Sequence, residues 1–299
     1  MKAKIETLRP LLFKTEHIND PDNELLDDNR IDHFFIHSLK DEYVDLKLPL
    51  PPHRKTVNDF VFVQKGEMVR TINLETFHLK AGDFLLVPKN NITTTTLVSQ
   101  DLQGYFCHFS NEFLAGKTSL KMWNTQADSE NLLSFEKEQI EILEPLLTRI
   151  LFLYKNRKEI PSNYSLIPFY LAAFIAEVSV LLQNQTRNPP FYHPVLTEFK
   201  DKLQQNFKQM RSVQEYAALL HISPNHLNKI IKKETGKSAS VIINETCNLE
   251  AKVLLTQTTL DIGEIAAELG FEDRSYFSRF FKKHAQISPV QYRKMIALS

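Results

Sequence analysis

The chain has 299 residues, 42% hydrophobic and 24% charged, a composition that suits globular cores and excludes a disordered or fibrous chain. Its 36 basic residues balance 36 acidic ones, which argues against a protein built wholly around a polyanion, and two cysteines are too few for a disulfide framework or a structural zinc cluster. The even balance hides a division, since 15 basic and 11 acidic side chains lie from Val195 onward, leaving 21 against 25 before it.

The length suggests roughly two domains in a soluble, cytoplasmic protein. The first 13 residues mix charges with a few apolar residues and do not read as an export signal. Residues 31–114 read as strands. Phe60-Val61-Phe62-Val63, Met68-Val69 after Gly66, and Phe84-Leu85-Leu86-Val87 between Gly82-Asp83 and Pro88 are short apolar runs broken by turn residues. They predict antiparallel strands of a small barrel or sandwich within residues 1–130.

The period turns helical over residues 136–182. Ile140, Ile142, Leu143, Leu146, Leu147, Ile150 and Leu151 form an apolar stripe, and residues 164–182 are almost wholly apolar. That second run approaches membrane-spanning length, but Pro168 lies inside it and Glu177 would cost roughly 2.5–3.5 kcal/mol in a bilayer centre. A pair of antiparallel helices, one buried at an interface, is expected in a segment spanning 131–190. Asn188-Pro189-Pro190 then breaks the pattern, and residues 191–299 form a separate all-helical domain. The fold class is therefore α+β and multidomain.

Within that last domain one order of signals occurs twice, about fifty residues apart. Ser212 and Glu215 form a capping-box pattern followed by Ala217, Ala218 and Leu220. Asp261 and Glu264 repeat it, followed by Ala266, Ala267 and Leu269. After a short turn a second helix starts at Ser223-Pro224 in one copy and at Asp273 in the other. Leu227 and Phe277, four residues past these caps, are apolar anchors. The small alanines let two helices cross steeply through a tight turn, the geometry of a helix-turn-helix. Gly270 supplies that turn in the second copy. His221 occupies the place in the first, which requires a strained left-handed residue or a turn of another shape.

The second helix of each copy leaves hydrogen-bonding residues on its outer side. Candidate contacts to base edges or phosphates are Ser223, Asn225, His226, Asn228 and Lys229, then Arg274, Ser275, Tyr276, Ser278 and Arg279. Lys232, Lys233, Lys282 and Lys283 extend the positive face, whereas Lys237 reads as an ordinary solvated lysine. Between the copies, residues 240–257 read as one helix of roughly 27 Å, packed through Val241, Ile242, Leu249, Val253 and Leu254. Such a rod places two recognition helices in adjacent major grooves, about 34 Å apart.

The strings ISPNHLNKIIKKETGKSAS, EAKVLLTQTTLDIGEIAAELGFEDRSYFSRFFKKH and ISPVQYRK resemble the DNA-binding domain of the AraC/XylS family of bacterial transcription regulators, over residues 213–294. The resemblance implies that the positions named above face DNA and that Ser288-Pro289 opens a closing helix. Cys247 stands where the family usually has arginine, removing a phosphate contact or an internal ion pair. Gln286 replaces a usual glycine; neither departure touches the recognition helices. The front half is more weakly similar to the family's cupin-like sensor barrel, through Pro52-His53-Arg54-Lys55, Gly66-Glu67 and Ala81-Gly82-Asp83 to Pro88.

The resemblance implies a homodimer held by the 136–182 helices, a promoter site in double-stranded DNA, RNA polymerase as partner, and activation controlled by a small-molecule effector in the barrel. No cofactor, metal, membrane or catalytic residue is expected. Rival readings are a regulator without a ligand or under a protein partner, a metal-dependent cupin enzyme and a DNA-repair alkyl acceptor. His33, His37, His53, His78 and His108 lack metal-ligand spacing, and Cys107 has no cysteine partner nearby. Phe60, Phe62, Phe84 and Tyr105 either line an effector cavity or fill it.

Overall fold

A computed structural model of the chain describes residues 32–42, 48–118, 131–185 and 193–297. The opening segment and the break at 188–190 lie outside the described residues. Contacts divide the chain into two compact units, one with most of the described residues up to 185 and one with those from 193 onward, to which residues 51–53 are also assigned.

The first unit contains β1 (Phe34–Ser38), α1 (Leu39–Glu42), β2 (His53–Arg54), β3 (Asn58–Lys65), β4 (Met68–Ile72), β5 (Glu75–Leu79), β6 (Asp83–Val87), β7 (Ile92–Val98), β8 (Gln103–Phe109), β9 (Leu132–Ser134), α2 (Lys137–Lys155) and α3 (Ser162–Gln185). The strands form two sheets, ordered β1-β8-β3-β6-β9 and β2-β7-β4-β5, so the expected barrel is not closed. Beyond residue 131, β9 pairs antiparallel with β6, Leu133 opposite Phe84.

Alternation along β3 sorts its side chains between two cores. Phe60 and Phe62 face α2 and α3, where the Phe60 ring stacks on Phe174 with centroids 5.2 Å apart. Val61 and Val63 face the other sheet and join Met68, Ile72, Phe77 and Leu79. Phe60, Phe62, Phe84 and Tyr105 all belong to the sheet–helix core, so they fill it rather than line a space between the sheets. The helical pair thus contributes to this unit's core.

Helix α3 is long and apolar enough to cross a membrane by length and composition. Its inner face, Ile167, Leu171, Phe174, Ile175 and Val178, is wholly buried against the unit, while Leu166, Phe169 and Val180 are exposed. Ala173 and Ala176 continue that outer stripe.

Between the sheets lies a buried charged group. Asp59 is 3.1 Å from an Arg70 guanidinium nitrogen and 2.9 Å from the Lys55 ammonium, and Arg70 and Asp59 are almost fully enclosed. Burial raises the Asp59 carboxyl, but the two cations outweigh it and hold it below the carboxylate range. Next to them His37 stacks on Phe106 at 5.3 Å, and burial, aided by His108, Lys55 and Lys155, lowers its pKa to about 3. Among the described residues no three of His, Cys, Asp and Glu gather in a group that could hold a metal ion.

The second unit is all helix: α4 (Pro194–Asn206), α5 (Val213–Leu219), α6 (Pro224–Thr235), α7 (Ala239–Gln257), α8 (Ile262–Glu268), α9 (Arg274–Ala285) and α10 (Pro289–Ala297). One apolar core runs through it, from Leu196, Phe199 and Leu203 of α4 to Tyr292 of α10. Helix α7 is its axis and buries Ile242, Ile243, Cys247, Ala251, Val253, Leu254 and Leu255. Val241, expected to pack, is 41% exposed, because it lies on the side of the helix away from the buried Ala239 and Ile243.

Candidate nucleic-acid interface

Both repeats fold into the same construction. Helix α5 starts with a reciprocal cap: the Glu215 amide donates to Ser212 Oγ at 3.3 Å and the Ser212 amide to Glu215 Oε2 at 2.8 Å. The Ser212 hydroxyl and nearby amides hold the Glu215 carboxyl below its usual range. Asp261 and Glu264 cap α8 in the same way.

Each of these helices ends in a left-handed turn with paired hydrogen bonds. In the first, the Ile222 amide donates to Ala217 and that of His221 to Ala218, at 3.0 and 3.1 Å. In the second, Phe271 donates to Ala266 and Gly270 to Ala267, at 2.8 and 2.9 Å. His221 adopts φ +55° and Gly270 φ +75°, so the histidine takes the strained left-handed conformation and the turns share one shape.

The second helices are capped as expected. Ser223 Oγ accepts the His226 amide at 3.2 Å, and the Asp273 carboxylate accepts those of Ser275 and Tyr276 at 3.0 and 2.8 Å. Those amides hold the Asp273 carboxyl below its usual pKa. Leu227 and Phe277 are fully buried, which fixes the rotation of each helix about its axis. Asn225, His226, Lys229, Lys232 and Lys233 are therefore exposed on α6. Arg274, Ser275, Tyr276, Arg279, Lys282 and Lys283 are exposed on α9.

Three candidate residues stand apart from these. Ser223 is exposed, but its hydroxyl is committed to the cap. Asn228 is half-buried, and its Oδ1 accepts the first amide of α7, from Ala239, at 3.1 Å. Its carboxamide oxygen is thus committed to the turn. Ser278, also half-buried, stands at the matching position, where Pro289 replaces Ala239 and has no N–H to satisfy.

Both second helices end in a left-handed residue, Gly236 at φ +73° and Gln286 at φ +65°. The Gln286 departure therefore does touch α9, as its C-terminal cap. Cys247 is buried in the core, and Arg211 Nη1 lies 3.3 Å from its sulfur. That contact, and α4 upstream of the repeat, have no local sequence signal beyond the apolar spacing of Leu196, Phe199 and Leu203.

A family model described as a helix-turn-helix domain matches residues 216–295, and one described as the ExsA N-terminal regulatory domain matches residues 58–167. An HTH-type transcriptional regulator of Bacillus subtilis (strain 168), YisR, is 23% identical over 254 residues, covering 81% of this chain and 87% of the relative. The lactose operon transcription activator of Staphylococcus xylosus is 24% identical over 248 residues, covering 79% and 84%. Among solved structures, the C-terminal domain of AraT, a response regulator from Geobacillus stearothermophilus, is 33% identical, with 35% of this chain and 87% of that one covered at a TM-score of 0.34.

Proposed function

The chain belongs to the AraC family of helix-turn-helix transcription regulators, and from that premise we propose that α6 and α9 are its two recognition helices, reading one promoter site in adjacent major grooves. The carrying observation is the repetition. Two helices with the same cap, the same buried anchor and the same outward-facing polar positions occur at matching places around one core. Asn225, His226 and Lys229 of the first, and Arg274, Ser275, Tyr276 and Arg279 of the second, are the proposed base and phosphate contacts. The Asn228 amino group and Ser278 stand at their edge, and Ser223 serves as a cap. Lys232, Lys233, Lys282 and Lys283 supply phosphate contacts and also complement the negative helix ends.

The protein acts in the cytoplasm as a homodimer and as an activator that engages RNA polymerase. The exposed stripe of α3, Leu166, Phe169, Ala173, Ala176 and Val180, recurs at alternating spacings of three and four residues, the period of a helix–helix seam. Alanines at its centre admit close approach of a second copy. An effector in the first unit would shift the balance between arrangements of the DNA-binding units. The buried Lys55, Asp59 and Arg70 group supports a polar recognition element between the sheets. No catalytic function is proposed: the Cys107 thiol, required by an alkyl-acceptor reading, is raised well above its usual pKa by burial.

Selection of duplexes from a random pool by the purified chain, at fixed salt, tests the reading. Enrichment of one bipartite motif with contacts spread over two adjacent grooves is the expected result. Recovery of sequences without a common motif refutes it.

A further inference from the structure

We infer that the connector between α4 and α5, through Lys208 and above all Arg211, is a latch that fixes the second helix-turn-helix relative to the first. By doing so it sets which spacing between two DNA segments the chain accepts. The inference rests on the DNA-contact reading above and goes beyond it to a positioning residue.

Apart from the latch, the two helix-turn-helix units are joined by α7 and by a shared apolar core, and apolar contact has no directional preference. The connector adds contacts that are directional. The Arg211 backbone amide donates to Glu215 Oε2 at 3.0 Å, the same carboxylate that caps α5, so the residue is anchored to the first unit. Its side chain crosses to the second. Nη2 donates to the Leu269 carbonyl, Nη1 reaches Cys247 Sγ of α7 at 3.3 Å, and the guanidinium lies 3.6 Å above the Phe271 ring. Leu269 is the C-terminal cap of α8, whose carbonyl has no partner within its own helix.

Phe271 carries the position onward, because its ring meets Tyr276, Phe277 and Phe280 of α9 at centroid distances of 5.7, 5.1 and 5.2 Å. A chain of contacts thus runs from the α5 cap to the proposed second recognition helix. Beside it the Lys208 ammonium pairs with Glu268 of α8. The Lys208 carbonyl also approaches Gly270 so closely that any Cβ there would overlap its oxygen. A planar guanidinium held on three sides admits one geometry, where a lysine ammonium admits many.

The experiment compares full-length wild type, Arg211→Met, Arg211→Lys and the milder pair Lys208→Met with Glu268→Gln. Each is titrated with the duplex that wild type selects and with versions carrying one or two base pairs inserted between its two segments. One inserted pair moves the second segment by about 3.4 Å and turns it by about 35°. Wild type is expected to lose at least about tenfold in affinity on one insertion. Arg211→Met should bind the original duplex about tenfold more weakly and lose less than about threefold further on the insertion, with Arg211→Lys and the double variant between them.

A folding defect alone lowers the active fraction on every duplex equally and leaves the insertion penalty intact. If Arg211→Met and the double variant both keep the wild-type insertion penalty, whatever their absolute affinity, the latch is overturned. If wild type selects no duplex at all, both the DNA-contact reading and the latch built on it are overturned.

Discussion

Replacing Gly270 with alanine tests the packing of the second unit at its tightest point. The new methyl overlaps the Lys208 carbonyl oxygen and lies 3.0 Å from its carbon, and Gly270 holds φ +75°, where a side chain is strained. Left-handed strain contributes about 1 kcal/mol, and pushing a backbone carbonyl aside contributes about 2 kcal/mol, near 3 kcal/mol together. His221→Ala is the matched control. That position already carries a Cβ at φ +55°, so the change costs less than about 0.5 kcal/mol. Hydrogen exchange of α7 amides in the full-length chain reads the opening of this unit by itself. Gly270→Ala should speed that exchange by about a hundredfold, with His221→Ala within about threefold of wild type. Equal exchange in the two variants would refute the close approach.

Other outcomes separate the proposed roles. Arg279→Ala should cost about 1–3 kcal/mol of binding and relax preference at one base pair, whereas Lys282→Ala should weaken all sequences alike and lower the salt slope by about one. Equal behaviour of the two in salt titrations on matched and mutated duplexes contradicts that division. Phe169→Glu together with Val180→Glu should convert a dimer to a monomer in sedimentation; an unchanged mass removes α3 from the interface. His37 has its folded pKa lowered from 6.5 to about 3, so its neutral form contributes stability that is fully present above pH 6.5 and is lost as pH falls toward 3. Substituting phenylalanine, which keeps the stacking on Phe106, should flatten the acid loss of the first unit's melting temperature across that window.

The helix-turn-helix repeat was legible because its signals are local. Caps, small residues in the crossing helix and the buried anchor all fall within about twenty residues, and each is decided by backbone chemistry that neighbours in sequence supply. The same locality gave the outward faces of α6 and α9, since one anchor and a 3.6-residue period fix the rest. Gln286 shows the limit even here: its identity gave a departure from glycine, but its place as the α9 cap came from the backbone angle.

What the sequence determined by itself was therefore the division into a strand-rich and a helical part, the repeated order of helices in the second part, and the polar faces of two capped helices. Tertiary structure alone decided the rest: that Phe60, Phe62 and Phe84 pack under α2 and α3, that β9 completes a sheet that stays open, that Asn228 spends an oxygen on α7, and that Arg211 reaches Leu269 and Phe271. The physical reason is common to all of them. Each depends on groups brought together across an intervening chain segment, and a residue's own periodicity tells which face it occupies but not what lies against that face.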